Sequence, residues 1–180
     1  MPIRDKRLIN DFEKLKELRS SSPFIDFMAF GSPPERYIIT LTCKGLEWDE
    51  KSRKPLVREH HEIEIYLPRQ YPTGKPFVKW LTPVFHPNIM PTDYDKNPGF
   101  ACIGSWAPSL GLRDLVVKLA EMIQYKNYEA THDRLNIEAA KWALENAHLF
   151  PIDKRDISVP EPEIILKYDA NDIMILDDGL

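Results

Sequence analysis

Few side chains in this 180-residue chain could form or break a bond. Of its two cysteines, Cys43 falls inside a strand-like run and reads as buried apolar filler, whereas Cys102 stands in a different setting. It lies between Gly99-Phe100-Ala101 and Ile103-Gly104, so backbone freedom flanks the thiol on both sides. A nucleophile in a shallow groove needs that freedom when a bulky acyl group must approach. Upstream stands His86-Pro87-Asn88. A residue before proline is driven to extended geometry and the proline ring locks its own φ, so the triplet holds its Asn in a defined place. Acyl transfer from a thiol passes through a tetrahedral oxyanion, for which a held amide N–H₂ is a suitable donor. The alternative is a plain turn whose side chains cap backbone groups. No obvious general base flanks Cys102; a cysteine hydrolase would have to recruit His132 or His148, and neither comes with an oxyanion motif. His60-His61 abuts a strand without metal-like partners, and no paired Cys/His spacing suggests zinc, so neither metal nor cofactor is expected.

Positioning those groups requires a frame. Leu8, Phe12, Leu15 and Leu18 recur at helical spacing through a charged segment that Ser20-Ser21-Ser22-Pro23 stops, which predicts an amphipathic first helix. Residues 37–43 (YIITLTC), 61–67 (HEIEIYL) and 77–81 (FVKWL) are β-branched or alternating runs, three successive strands that read as an antiparallel meander. Eight of the sixteen prolines lie between Pro68 and Pro108, a density that neither a helix nor an interior strand accepts. An irregular region this long is usually functional. Leu115, Val116, Leu119 and Ile123 then mark a central buried helix, and Ala139, Ala140, Ala143, Leu144 and Ala147 a second. The expected fold class is α+β: helix, β-meander, proline-rich loop, two helices.

Composition bounds the rest. The formal charge is −4, and the last twenty residues, with Glu161, Glu163, Asp169, Asp172, Asp177 and Asp178 against Lys167, more than account for it. The body is near neutral, which gives no reason to expect nucleic-acid or anionic-membrane binding. The N-terminus is charged from its fourth residue and lacks an apolar segment, and two cysteines make no disulfide framework, so a cytoplasmic protein is expected. The domain reading is a core over 1–149 and a divergent acidic extension over 150–180, in which two short Ile-rich pieces flank Asp169-Ala170-Asn171-Asp172; they form a hairpin or dock on a partner.

The motifs taken in order resemble the ubiquitin-conjugating enzymes. Tyr71-Pro72 with Pro76, then residues 80–89 (WLTPVFHPNI), are similar to the segment leading into that family's His-Pro-Asn motif. Gly99-Phe100-Ala101-Cys102-Ile103 is similar to the Gly-x-x-Cys-Leu around its active cysteine. Residues 106–110 (WAPSL) are similar to its Trp-Ser-Pro-Ala-Leu, and Asp133-Arg134-Leu135-Asn136 to its Asp-Pro-Leu-Asn. The resemblance implies that Cys102 accepts the C-terminal glycine of a ubiquitin-like protein from an activating enzyme as a thioester and passes it to an amine. It implies Asn88 as oxyanion donor or as brace of the cysteine loop, and His86 as a structural ring bonded to backbone. Asp133 would orient and deprotonate the amine, or serve only as a helix N-terminal carboxylate. It also implies a docking face for the activating enzyme and ligases on the first helix and the loops ending near Pro83 and Pro108, which carries Arg4, Lys6 and Arg7; a ligase or substrate protein would dock the tail. The absence of a base suits a carrier, since a site that activates water would lose its cargo. The departures are local: an insertion within 90–98 lengthens the Asn88-to-Cys102 spacing, Cys102 to Trp106 is short, and Gly104-Ser105 stands where an acidic residue is usual. Together with the shortened C-terminal helical part, these point to a divergent or prokaryotic relative. The competing reading is a non-catalytic binding module of the same fold, against which the joint presence of Cys102, Asn88 and the Trp-Ala-Pro argues.

Overall fold

A computed structural model describes residues 1–132 and 134–159. The element order is α1 (Ile3–Ser21), β1 (Ile25–Gly31), β2 (Pro34–Asp49), β3 (Lys54–Tyr66), β4 (Phe77–Trp80), α2 (Leu112–Ile123) and α3 (Ile137–Glu145), followed by one 3₁₀ turn, Ala147–Leu149. The four strands pair antiparallel in the order β1-β2-β3-β4, so the α+β meander expected from the sequence is present. Leu8, Leu15 and Leu18 of α1 are buried, and the helix ends where Ser22 turns extended before Pro23.

Period-2 alternation in the strands puts Ile25 and Phe27, Tyr37, Ile39, Leu41 and Cys43, and Ile63 and Ile65 on one buried face. Leu112, Leu115, Val116, Leu119 and Ile123 of α2 join them in a single cluster, each fully buried apolar side chain being worth about 1.5–3 kcal/mol. Cys43 belongs to this core, and burial pushes its thiol up to about 12, which leaves it chemically inert.

The sheet departs from the sequence expectation in two ways. It has four strands instead of three. In β1, IDFMAFG, the outward residues Met28 and Phe30 are as apolar as the inward ones, which hides the alternation. The residues between the expected strands 37–43 and 61–67 are instead a long hairpin, paired from Gly45↔Arg58 out to Asp49↔Lys54. It reads as loop because much of it is in contact with water, and ion pairs such as Arg58–Glu47 replace burial. A register shift between Thr42 and Gly45 bends β2 where α2 crosses it; a Cβ at Gly45 would lie 2.4 Å from Ile123.

A second cluster, Leu46, Phe85, Tyr125, Ala130, Ala139, Ala140 and Ala143, seats α3 beside the hairpin, with Trp48, Trp142 and Phe150 packed around it. Small alanines let α3 approach closely, and the Tyr125 and Phe150 rings stack at 4.4 Å. Over residues 150–159 the chain stays on the body. The Ile152 N–H bonds the Gln124 carbonyl, Ile157 is buried in the main core, and the Ser22 hydroxyl donates to the Ile157 carbonyl. Asp153 is buried and accepts from the Lys44 N–H at 2.8 Å and from Arg155 at 2.7 Å. Burial alone would raise its carboxyl, but those hydrogen bonds and the guanidinium outweigh it and hold the group well below the usual carboxylate range. The two Ile-rich pieces of the tail lie outside the described residues.

Candidate functional site

The proline-rich region converges on one short irregular segment. Its residues 99–102 are clamped from both sides by backbone hydrogen bonds. On one side the Trp80 N–H bonds the Gly99 carbonyl at 2.7 Å and the Ala101 N–H bonds the Val78 carbonyl at 3.1 Å. On the other, the Met90 N–H bonds the Phe100 carbonyl at 2.8 Å and the Cys102 N–H bonds the Asn88 carbonyl at 2.9 Å. Single-residue bridges Lys79↔Phe100 and Ile89↔Ala101 result. Gly99 is obligatory in this clamp: its φ is +72°, and a Cβ there would sit 2.0 Å from the Trp80 carbonyl oxygen. The inserted stretch is an excursion closed at its base by the same bonds and by Gly99 N–H to Met90 O at 3.2 Å. The thiol therefore keeps its place beside the triplet despite the extra residues.

His86 is fully buried, and its Nδ1 accepts the Asn88 N–H at 3.1 Å, which puts the ring proton on Nε2. Burial pushes its pKa down to about 3 against the opposing pull of the Met122 carbonyl, so the ring is neutral at physiological pH. Tyr125 packs on it with ring centroids 4.8 Å apart. Asn88 is buried, and its amide makes a two-point pair with one backbone unit: Nδ2 donates to the Glu129 carbonyl at 2.7 Å and Oδ1 accepts the Glu129 N–H at 2.8 Å. Glu129 in turn ties its own turn together, its carboxylate taking the Thr131 hydroxyl and the Thr131 and His132 N–H groups, which hold it down at about 2. Asn88 thus joins the segment that carries the cysteine, through its backbone, to the turn before α3, through its side chain. The Pro87 carbonyl adds to that junction by accepting the Leu135 and Asn136 N–H groups at 2.7 and 3.0 Å, and the Asn136 side chain caps α3 through the Ala139 N–H.

Cys102 is half-buried, and among the described residues its Sγ makes no hydrogen bond. The loop after it is held by two ammonium groups: Lys118 Nζ donates to the Ile103 carbonyl at 2.7 Å and Lys75 Nζ to the Gly104 carbonyl at 2.8 Å. Trp106 closes the loop with its Nε1–H on the Pro72 carbonyl at 2.8 Å and its ring against Tyr71. Neither lysine nor Glu129 was legible in the sequence, since nothing in their local context separates them from solvated charges. The histidines considered as bases are both exposed; His132 Nδ1 is bonded to the Thr131 hydroxyl, and His148 lies in the 3₁₀ turn after α3. Asp133 lies outside the described residues.

The cations on α1 divide. Arg4 reaches Glu35 at 2.9 Å and the Leu67 and Pro68 carbonyls. Arg7 pairs with the buried Asp11 at 2.7 Å and donates to the Pro108 and Leu110 carbonyls, while Tyr71 Oη donates to the same Asp11. Both arginines therefore fix α1 to the loops within the chain. Lys6, Pro83 and Pro108 are exposed. Among the described residues, no helix is long and apolar enough to cross a membrane.

Comparison with known proteins agrees with this architecture. Residues 52–153 match the family model described as ubiquitin-conjugating enzyme. The NEDD8-conjugating enzyme UBE2F of Rattus norvegicus is 28% identical over 177 residues, covering 92% of this chain and 82% of that protein. The ubiquitin-conjugating enzyme E2 T of Bos taurus is 28% identical over 74 residues, 37% of this chain and only 35% of that protein's length. Among solved structures, S. cerevisiae Ubc12 superposes with a TM-score of 0.57 at 22% identity, over 80% of this chain and 70% of that one, a likeness of fold. With the family model spanning more than half of its residues, the chain belongs to the ubiquitin-conjugating enzyme family.

Proposed function

We propose that the protein carries a ubiquitin-like modifier as a thioester on Cys102. The thiolate attacks the carbonyl of the modifier's activated C-terminus, the thiol of the activating enzyme leaves, and the new thioester forms on Sγ. An acceptor amine then attacks the same carbonyl, Sγ leaves as thiolate, and the amine's proton passes to a base. A lysine ε-amine is the expected acceptor, and Asp133 is the residue that resembles the family's amine-orienting carboxylate.

The observation that carries this reading is the placement of Cys102: held in register against Asn88 by backbone bonds, half-exposed, and with no imidazole on its sulfur among the described residues. A nucleophile without a paired base forms and keeps an ester that a hydrolase would pass to water. Asn88 acts as the brace between the cysteine segment and the turn at Glu129, and His86 as a neutral, buried support of that brace. The wider reading includes an activating enzyme and ligases as partners through the α1 face, a cytoplasmic location, and an extension over 150–180 that a ligase or substrate protein would engage.

The test is to incubate the protein with activating enzymes, ATP and candidate ubiquitin-like proteins and weigh the intact products. A thiol-labile adduct on the wild type that becomes thiol-resistant in Cys102→Ser and Cys102→Lys supports the carrier. Failure of every modifier pair to load, or an adduct retained in Cys102→Ala, removes it in favour of a binding module.

A further inference from the structure

A cleft among the described residues lies against the inserted stretch that precedes the Cys102 segment, and no step of the carrier chemistry uses it. About 580 Å³ in volume, it opens between the tip of the β2–β3 hairpin, residues 83–85, the inserted residues 91–94 and the first turn of α3. That volume accommodates a few peptide residues and their side chains. Its apolar wall is aromatic and aliphatic: Trp48, which stacks on Phe85 at 5.2 Å, with Tyr94 and Ile137 left more than half exposed. Three carboxylates line it, Glu50, Asp93 and Glu138, one from each of three separate walls, and none is ion-paired among the described residues. Among the described residues no lysine, arginine or histidine lines it.

We propose that this cleft binds a short basic segment of the acceptor protein, with a lysine or arginine set among the three carboxylates and an apolar neighbour against Trp48 and Ile137. Charge complementarity selects the occupant: unpaired carboxylates around an aromatic wall attract a cation with an alkyl stem, which gains from both the charge and the ring faces. An acidic or phosphorylated segment would meet like charge on all three walls.

The cleft is also tied to the thiol. Leu135 and Asn136, in its wall, bond the Pro87 carbonyl, and Pro91 succeeds Met90, which is paired with Phe100. One continuous segment, 87–91, thus supports both the cleft and, through the Asn88 carbonyl, Cys102. A segment seated there is therefore coupled to the thiol through that one stretch of backbone. The inference deepens the carrier reading and names the acceptor's chemistry.

Its test needs no modifier. Titrating the full-length ¹⁵N-labelled protein with the peptide Gly-Lys-Phe-Lys-Gly-Arg-Ser-Gly is expected to give saturable shifts at the Trp48 indole, Tyr94 and Ile137. A control peptide with Glu at each cationic position should give none. The triple substitution Glu50→Gln, Asp93→Asn, Glu138→Gln, all at exposed positions, should weaken binding about tenfold, as expected for the loss of three exposed charge pairs. Raising the salt from about 0.15 to 0.5 M should weaken binding in the same sense. Shifts that do not saturate, that map elsewhere, or that survive the triple substitution undiminished overturn the proposal. If the peptide binds but no modifier ever loads on Cys102, the carrier reading fails while the cleft stands; if loading succeeds and the peptide does not bind, the reverse holds.

Discussion

Lowering the pH from 7 to 4.5 should destabilise this protein through two histidines that are held neutral. His61 and His86 are fully buried in different parts of the fold. His61 Nε2 faces only carbonyls, Cys43 at 3.2 Å and Arg58 at 3.1 Å, so it is the protonated nitrogen and the ring is neutral. Burial pushes its pKa down to about 4, and that of His86 to about 3. In the unfolded chain both titrate near about 6.5. Between those values the unfolded state binds protons that the fold excludes, so stability is complete above about pH 7 and is lost as the pH falls. At pH 4.5, about two units below the unfolded value, each histidine disfavours the fold by roughly 2–3 kcal/mol, about 5 kcal/mol together. A domain of this size has about 5–15 kcal/mol in all. The depressed carboxyls of Asp153 and Glu129 act lower: their stabilisation is present above their unfolded values near about 4 and is lost only beneath them, so the higher window belongs to the histidines. The assay is urea unfolding at half-unit steps from pH 7.5 to 4.5. The midpoint should fall steadily below pH 6.5 at constant slope, and His61→Gln, which keeps a donor for the Cys43 carbonyl, should remove about half of the dependence. A midpoint flat to pH 4.5, or a dependence unchanged in His61→Gln, would refute the reasoning.

Other outcomes concern the site. Gly99→Ala forces a Cβ against the Trp80 carbonyl at a positive φ, and the left-handed geometry alone costs about 1–2 kcal/mol; thermal denaturation should show at least that loss, and near-wild-type stability would mean the clamp is soft. Asn88→Asp keeps the acceptor for the Glu129 N–H but turns an oxygen toward the Glu129 carbonyl, so it should destabilise by about 1–3 kcal/mol; amide exchange at Glu129 and Cys102 would report the loosening directly. Asp153→Ala leaves the Lys44 N–H without its partner and should likewise lower stability by about 1–3 kcal/mol, read by urea midpoint at pH 7. Lys118→Met should speed alkylation of Cys102 by iodoacetamide if the Ile103 carbonyl contact restrains the loop, and Lys118→Arg should restore the slower rate.

Much of the frame was legible because its signals are local. The leucines of α1, the alternation of residues 37–43 and 61–67 and the apolar stripe of α2 each state their own secondary structure, and the proline density marked where regular structure stops. β1 escaped because Met28 and Phe30 place apolar side chains on the solvent face, and the hairpin tip escaped because its residues face water. In the site, the triplet and Cys102 stood out by type, but their partners did not. Asn88 bonds a backbone unit forty-one residues away, and a backbone partner leaves no mark on sequence. Arg4 and Arg7, which the resemblance sets on a docking face, have intrachain partners in Glu35, Asp11 and carbonyls of loops folded back from far along the chain. Long-range pairing decides whether a surface cation is available, and single-chain patterns carry no information about it.

The excursion over 91–98, closed at its neck by Met90, Gly99 and Phe100, separates two properties that most loops near a reactive group combine. The bonds that set Cys102 run to Asn88, Val78, Trp80 and Met90, and among residues 91–98 only Pro91 and Asn97 touch the cysteine segment, through the Gly99 and Phe100 N–H groups, so residues 92–96 are the ones free to vary without touching the thiol's backbone register. The arrangement works as an interchangeable module: selection, or an engineer, can rewrite what the protein touches while the reacting atom stays in place.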